Sequence, residues 1–242
     1  MARRFQRPPP RLLLTEVFRA LVERRQGRRY IENFRPVVAG DGHPVMVIPG
    51  FLSTDDACVS LRGFIRKIGY TAYPWGLGRN IGDLSEVTAL QARIADIARS
   101  HHQPVSLIGW SLGGIYAREA ARDLGESVRQ VITLGSPFGD VLNSGYVAWV
   151  YELMKSEKAK RANDGRLKHT SDPVPVRSTA LFSRVDGVVA WQACQEPEED
   201  QLRRNIEVRS SHLGMSFNIQ TLQAVASQLA PDPSTNHPPS AS

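Results

Sequence analysis

The stretch "VSLIGWSLGGIYAREAARDLG", Val105 to Gly125, decides how the rest of the chain is read. Four β-prone residues, Val105 to Ile108, run into Gly109-Trp110-Ser111-Leu112-Gly113, and a helical pattern begins at once. A serine between two glycines, where a strand becomes a helix, fits a turn tight enough to strain its backbone and lift its hydroxyl above the end of a sheet. The same local pattern also fits an ordinary helix N-cap, a role that serine fills well. What stands at the other strand ends discriminates between the two.

Working outward, strand and helix patterns alternate. "VMVI" (45–48) is a short apolar strand ending in Pro49-Gly50, residues 55–69 read as a helix, and 70–75 as the next strand. Residues 84–100 form an amphipathic helix pattern with Val87, Leu90, Ile94 and Ile97 at helical spacing. Beyond the opening stretch, strands are expected at 128–137, 176–183 and 205–210, with a helix from Ile219 to Leu229. This alternation predicts an α/β fold, a mostly parallel sheet flanked by helices. Residues 138–175 break the rhythm with an aromatic, apolar helical stretch (Tyr146, Val147, Trp149, Val150, Tyr151) and a polar loop, and are expected to form an inserted helical cap. The expected organisation is a basic N-terminal segment at 1–40, an α/β domain at 41–230 and a disordered tail at 231–242.

A chain of 242 residues suits one such domain. No apolar run approaches the roughly 18 residues of a membrane span. The basic start has only Leu12–Leu14 before Thr15 and Glu16, too short for the core of a signal peptide. Cys58 and Cys194 allow at most one bridge, which favours a reducing cytoplasm. The formal charge of +6 arises largely near the N-terminus, where ten arginines fall between Arg3 and Arg35. No zinc finger or other nucleic-acid motif accompanies it, so no nucleic-acid partner is expected. Within "LLLTEVFRALVERR", Leu14, Val17, Phe18, Leu21 and Val22 share one helical face. That face is expected to pack on its own domain or on a partner subunit; contact with an anionic membrane surface is the alternative. Histidines and cysteines lack zinc-ligand spacing and "EPEED" (196–200) reads as a solvated loop, so neither a metal nor another cofactor is expected. The oligomeric state is not legible.

A serine hydroxyl becomes a useful nucleophile only beside a base, and that base needs a carboxylate to fix its tautomer. Of six histidines, His212 alone follows directly after a late strand, in "EVRSSHLGM". For the acid, Asp186 in "LFSRVDGVVAW" lies just beyond a strand and before Gly187, taken as a sharp-turn residue. Asp140, in "GSPFGD", is the second candidate. An oxyanion would need two backbone donors. The residue after the serine, Leu112, supplies one, and the loop in "VIPGFL" the other, from Phe51 or Leu52. Trp110, Trp149, Trp191 and Met215 are candidates for an apolar acyl pocket.

From about His43 to Leu229 the chain resembles a serine α/β-hydrolase of the lipase and esterase type. The residues that carry the likeness are "GWSLGG", "TLGSPFGD", "VDGVV" and "SSHLGM", in that family's order. The resemblance implies an α/β-hydrolase fold, a Ser111–His212–Asp186 triad and a small-molecule acyl ester as substrate, cleaved through an acyl enzyme on Ser111. Thioesterase, amidase or acyltransferase chemistry would use the same triad, and a non-catalytic binding protein is the remaining reading. Two departures stand out: Pro49-Gly50 replaces the common His-Gly oxyanion motif, and Phe138 stands where many lipases have a histidine.

Overall fold

The computed structural model describes residues 5–36, 39–139 and 169–230. Six strands, β1 (Pro44–Ile48), β2 (Thr71–Pro74), β3 (Val105–Trp110), β4 (Val128–Leu134), β5 (Arg177–Phe182) and β6 (Arg203–Glu207), form one sheet in the order β2-β1-β3-β4-β5-β6. Every neighbouring pair is parallel. The chain builds outward from β1 to β2, then returns to lay β3 on the other side of β1. The strand order therefore reverses between β1 and β3, the place where open parallel sheets leave a crevice at their carboxyl ends.

Strands β1 and β3 are buried along their whole length. Their sequences are nearly continuous apolar runs because helices cover both faces. On one face, α3 (Val87–His101) and α4 (Leu112–Leu124) bring Leu90, Ile94, Ile115 and Tyr116 against Met46, Ile48 and Leu107. On the other, α2 (Val59–Lys67) and a C-terminal helix, α5 (Ile219–Leu229), set Leu61, Phe64, Leu222 and Val225 against Val45, Val47 and Ile108. Asn218 caps α5 through its side-chain oxygen, which accepts from the N–H groups of Gln220 and Thr221. Cys58 and Cys194 are both buried free thiols, so the bridge the sequence would allow is not formed.

The N-terminal helix departs from expectation in two ways. It spans Pro10–Asn33, two turns beyond the expected end near Arg25. Gly27 lets it lie so close that a Cβ there would sit 1.9 Å from the Phe217 carbonyl oxygen, and Tyr30 and Phe34 pack on Phe64 of α2. These tertiary contacts carry the helix through a polar stretch that lacks an apolar stripe of its own. The second departure is its orientation. Glu16, Ala20 and Gly27 are the buried residues of this helix, α1, whereas Leu14, Val17, Phe18 and Leu21 are exposed. The apolar face points away from the domain, so of the contacts expected for it a partner subunit or an anionic membrane surface remains. Among the described residues no helix is long and apolar enough to cross a membrane. Residues 140–168 of the expected cap, with Asp140, Tyr146, Trp149 and Val150, lie outside the described residues, as does the tail.

Candidate active site

Ser111 occupies a one-residue turn between β3 and α4, with φ 53° and ψ −124°. A non-glycine residue held at positive φ is strained, and such strain persists only where surrounding structure over-determines it. Here the serine N–H donates to the Leu134 carbonyl at 2.8 Å, and the serine carbonyl accepts from Gly114 N–H at 3.0 Å. The flanking glycines are needed for contact between elements. A Cβ on Gly109 would stand 2.3 Å from the Gly113 oxygen, and one on Gly113 would stand 2.3 Å from the Ile48 oxygen. Without side chains, α4 starts hard against the ends of β1 and β3 and leaves Ser111 at the switch point of the sheet.

His212 and Asp186 arrive from loops after β6 and β5. Asp186 Oδ2 lies 2.7 Å from His212 Nδ1, and His212 Nε2 lies 3.0 Å from Ser111 Oγ. All three residues are buried. The Asp186 carboxylate is itself fixed, because its Oδ1 accepts from the N–H groups of Val188 at 2.8 Å and Val189 at 2.9 Å. A carboxylate on Nδ1 keeps the ring proton there, so Nε2 faces the serine as an acceptor. Burial disfavours the imidazolium, but the charge and hydrogen bond of Asp186, with the charge of Glu16, outweigh it. His212 therefore titrates above the ordinary histidine value. A hydroxyl, imidazole and carboxylate in this order can move a proton off the hydroxyl and hold the resulting cation.

Two further groups hold this arrangement, and the sequence analysis missed both. Glu16 of α1 is 2% exposed, and its Oε1 accepts from the N–H groups of Gly187 at 2.7 Å and His212 at 3.2 Å, while Oε2 accepts from Leu213 N–H at 3.3 Å. Glu23, two turns on, accepts from Ser211 N–H at 2.9 Å and from both the Ser210 and Ser211 hydroxyls at 3.0 Å. The two glutamates thus tie the acid loop and the base loop to one helix. Gly187 lies in a bend, as expected, and it must also lack a side chain, since a Cβ there would meet the Leu12 backbone at 2.5 Å. The only available signal was that Glu16 and Glu23 are acids in an arginine-rich helix.

The second missed group is Asn80, fully buried in the loop after β2. Its side-chain amide donates to the Pro49 carbonyl at 2.8 Å, and its backbone carbonyl accepts from Leu52 N–H at 2.7 Å. Leu52 sits at φ 59°. The candidate oxyanion loop is thereby held in a bent form against the nucleophile, with a Cβ on Gly50 only 3.2 Å from Ser111 Cβ. Of the loop's two candidate donors, Phe51 and Leu52, the latter has its N–H on the Asn80 carbonyl. Leu112, the candidate outside the loop, is the first residue of α4, and first-turn amides have no intrahelical acceptor.

Of the candidate acyl-contact residues, Trp110 and Met215 lie beside the triad in packed surroundings. Trp110 is buried and its indole N–H donates to the His212 carbonyl at 3.0 Å. Met215 is fully buried, and its Cε converges on Gly135 together with Asp186 Oδ2 and His212 Nδ1. Trp191 stacks on Phe182 at 5.6 Å, with the Arg184 guanidinium over its ring. Trp149 lies outside the described residues. Phe138 is fully buried with the Arg118 guanidinium 3.9 Å from its ring centroid. Among the other histidines, His43 is buried between Asp41 and Ser106, His101 meets the Tyr73 hydroxyl, and His169 pairs with Asp172.

The chain has the α/β-hydrolase fold. The solved structures it resembles include lipases and a further α/β-hydrolase, in line with the fold that the sequence motifs implied. The mature lipase of Bacillus licheniformis superposes with a TM-score of 0.62 at 16% identity, over 82% of this chain and 96% of that one. The monoacylglycerol lipase of Paleococcus ferrophilus does so with 0.57 at 12%, over 79% and 95%. An extracellular α/β-hydrolase from a Paenibacillus species gives 0.51 at 12%, over 78% and 99%. No family model and no curated protein sequence matches the chain.

Proposed function

We propose that the chain is a serine hydrolase of carboxylic esters, with Ser111 as nucleophile, His212 as general base and acid, and Asp186 as the orienting carboxylate. The observation that carries this reading is the continuous relay of 3.0 Å and 2.7 Å from the strained Ser111 through His212 to Asp186. In the first step Ser111 Oγ bonds to the ester carbonyl carbon while its proton passes to His212 Nε2. The carbonyl π pair moves onto oxygen, which takes hydrogen bonds from the backbone N–H groups of Leu112 and Phe51. Collapse breaks the bond to the alkoxy oxygen, the alcohol leaves with the proton from His212, and the acyl group stays on Ser111. A water molecule, deprotonated by His212, then repeats the sequence and releases the acid.

Glu16, Glu23, Trp110 and Asn80 act in this scheme as positioning residues. The first three hold the loops that carry the acid and base, and Asn80 holds the oxyanion loop. The candidate contacts for an apolar acyl group are Trp110, Trp149, Trp191 and Met215. The test is a chromogenic short-chain ester assay of wild type against Ser111→Ala. Ser111→Ala should lose about 10⁶-fold in kcat, since triad members act as a unit. Substantial turnover by a folded Ser111→Ala protein would refute the mechanism. Thioester and amide substrates in the same assay distinguish an esterase from a thioesterase or amidase.

A further inference from the structure

The outward face of α1 is unusual for a domain surface. Leu13, Leu14, Val17, Phe18, Leu21 and Val22 are all exposed, Leu14 and Phe18 by 83% and 70%. At helical spacing they form one patch over the first three turns. Apolar patches of this kind commonly mark an interaction surface. Arg11 precedes the patch, and Arg24, Arg25, Arg28 and Arg29 continue the same exposed side toward the C-terminus. The acids of the helix are spent elsewhere. Glu16 and Glu23 point inward to the base and acid loops, and Glu32 pairs with Arg28 at 2.8 Å. Arg19 is also turned inward, donating to the Val185 and Leu12 carbonyls and to Glu16. What remains outside is a surface of hydrocarbon and guanidinium with no unpaired carboxylate from the helix itself.

A second copy of the chain complements this surface poorly. A two-fold contact with parallel helices would set arginines on arginines, and an antiparallel one would bury arginines against leucines, with no carboxylate to meet them. An anionic bilayer offers both missing partners, phosphates for the arginines and an acyl boundary for the apolar side chains. We propose that α1 is a docking helix for an anionic lipid surface, its Leu14–Val22 half entering the headgroup region and its Arg24–Arg29 half lying on lipid phosphates. The inference does not depend on the hydrolase reading.

The full chain, cosedimented with vesicles of phosphatidylcholine alone or mixed with phosphatidylglycerol, tests it. Wild type should pellet with the mixed vesicles, not with the neutral ones, and less as salt is raised. Arg24→Gln/Arg25→Gln should weaken binding about 25-fold, at about five-fold per arginine. Leu14→Ser/Phe18→Ser should weaken it at least about ten-fold. Wild type remaining in the supernatant with both vesicles would overturn the proposal, as would equal binding to neutral vesicles or unchanged binding by Leu14→Ser/Phe18→Ser. A wild-type dimer that Leu14→Ser/Phe18→Ser turns into a monomer would assign the patch to a second copy instead.

Discussion

Replacing Asp186 by Asn should leave the fold standing and remove turnover by reversing one hydrogen bond. Asp186 accepts at both ends: Oδ1 from the N–H groups of Val188 and Val189, Oδ2 from His212 Nδ1. An asparagine accepts at one end only. With its oxygen at the Oδ1 position, both backbone bonds survive, but the amide NH₂ then faces Nδ1 and drives the ring proton to Nε2. In that tautomer His212 cannot accept from Ser111. Flipping the amide restores the tautomer and costs two backbone hydrogen bonds, at about 1 kcal/mol each, besides leaving two N–H groups unpaired. A net penalty of about 3 kcal/mol leaves the productive form near one part in a hundred, at 1.36 kcal/mol per decade. Losing the negative charge beside the imidazolium deepens this, to about 10⁴-fold in kcat. Steady-state hydrolysis of a chromogenic acetate ester measures the loss, and ¹⁵N-histidine spectra locate the proton. Retention of more than about a tenth of wild-type kcat, or a proton still on Nδ1, would refute the reasoning. Asp140→Asn serves as the comparator and should cost far less.

The remaining predictions concern the supports of the site and the cap. Glu16 helps raise His212 against the effect of burial, so Glu16→Gln should lower its titration and, because the base must be neutral, move the acid limb of kcat/KM to lower pH. A raised histidine stabilises the fold fully below its unfolded value of about 6.5 and loses that contribution as pH rises through the folded value. The Tm gap between wild type and Glu16→Gln should therefore be wider at pH 5 than at pH 9, and an unshifted acid limb would remove Glu16 from the mechanism. Asn80→Ala frees the loop that carries Phe51. It should lower kcat by about 10- to 100-fold, less than outright loss of an oxyanion donor, with KM nearly unchanged; a change in KM alone would contradict this. Trp149→Ala should lower kcat/KM for medium-chain esters more than for acetate esters, by up to about four-fold per methylene that reaches it. Equal losses on both substrates would make Trp149 a packing residue.

Periodicity along the chain was enough for the parallel sheet and its flanking helices, because buried strands and amphipathic helices write their environment into short, local patterns. It also marked Ser111 and His212, with Asp186 or Asp140 as the acid, since each follows a strand and residues after parallel strands share one edge of the sheet; the three as a set came from the family resemblance. Which way α1 faces could not be read this way. The stripe Leu14, Val17, Phe18, Leu21 has the pattern of a packing face, yet the helix is anchored by Glu16 and Glu23 on backbone N–H groups nearly two hundred residues away. A buried carboxylate that satisfies several amides at once can outweigh an apolar stripe, and nothing local to Glu16 announces those amides. Asn80 is the same case, an ordinary polar loop residue until the chain brings Pro49 and Leu52 to it. Sequence alone thus determined the elements and their order, where the governing interactions span a few residues; tertiary structure decided orientation and support, where the partners meet only once the sheet has formed.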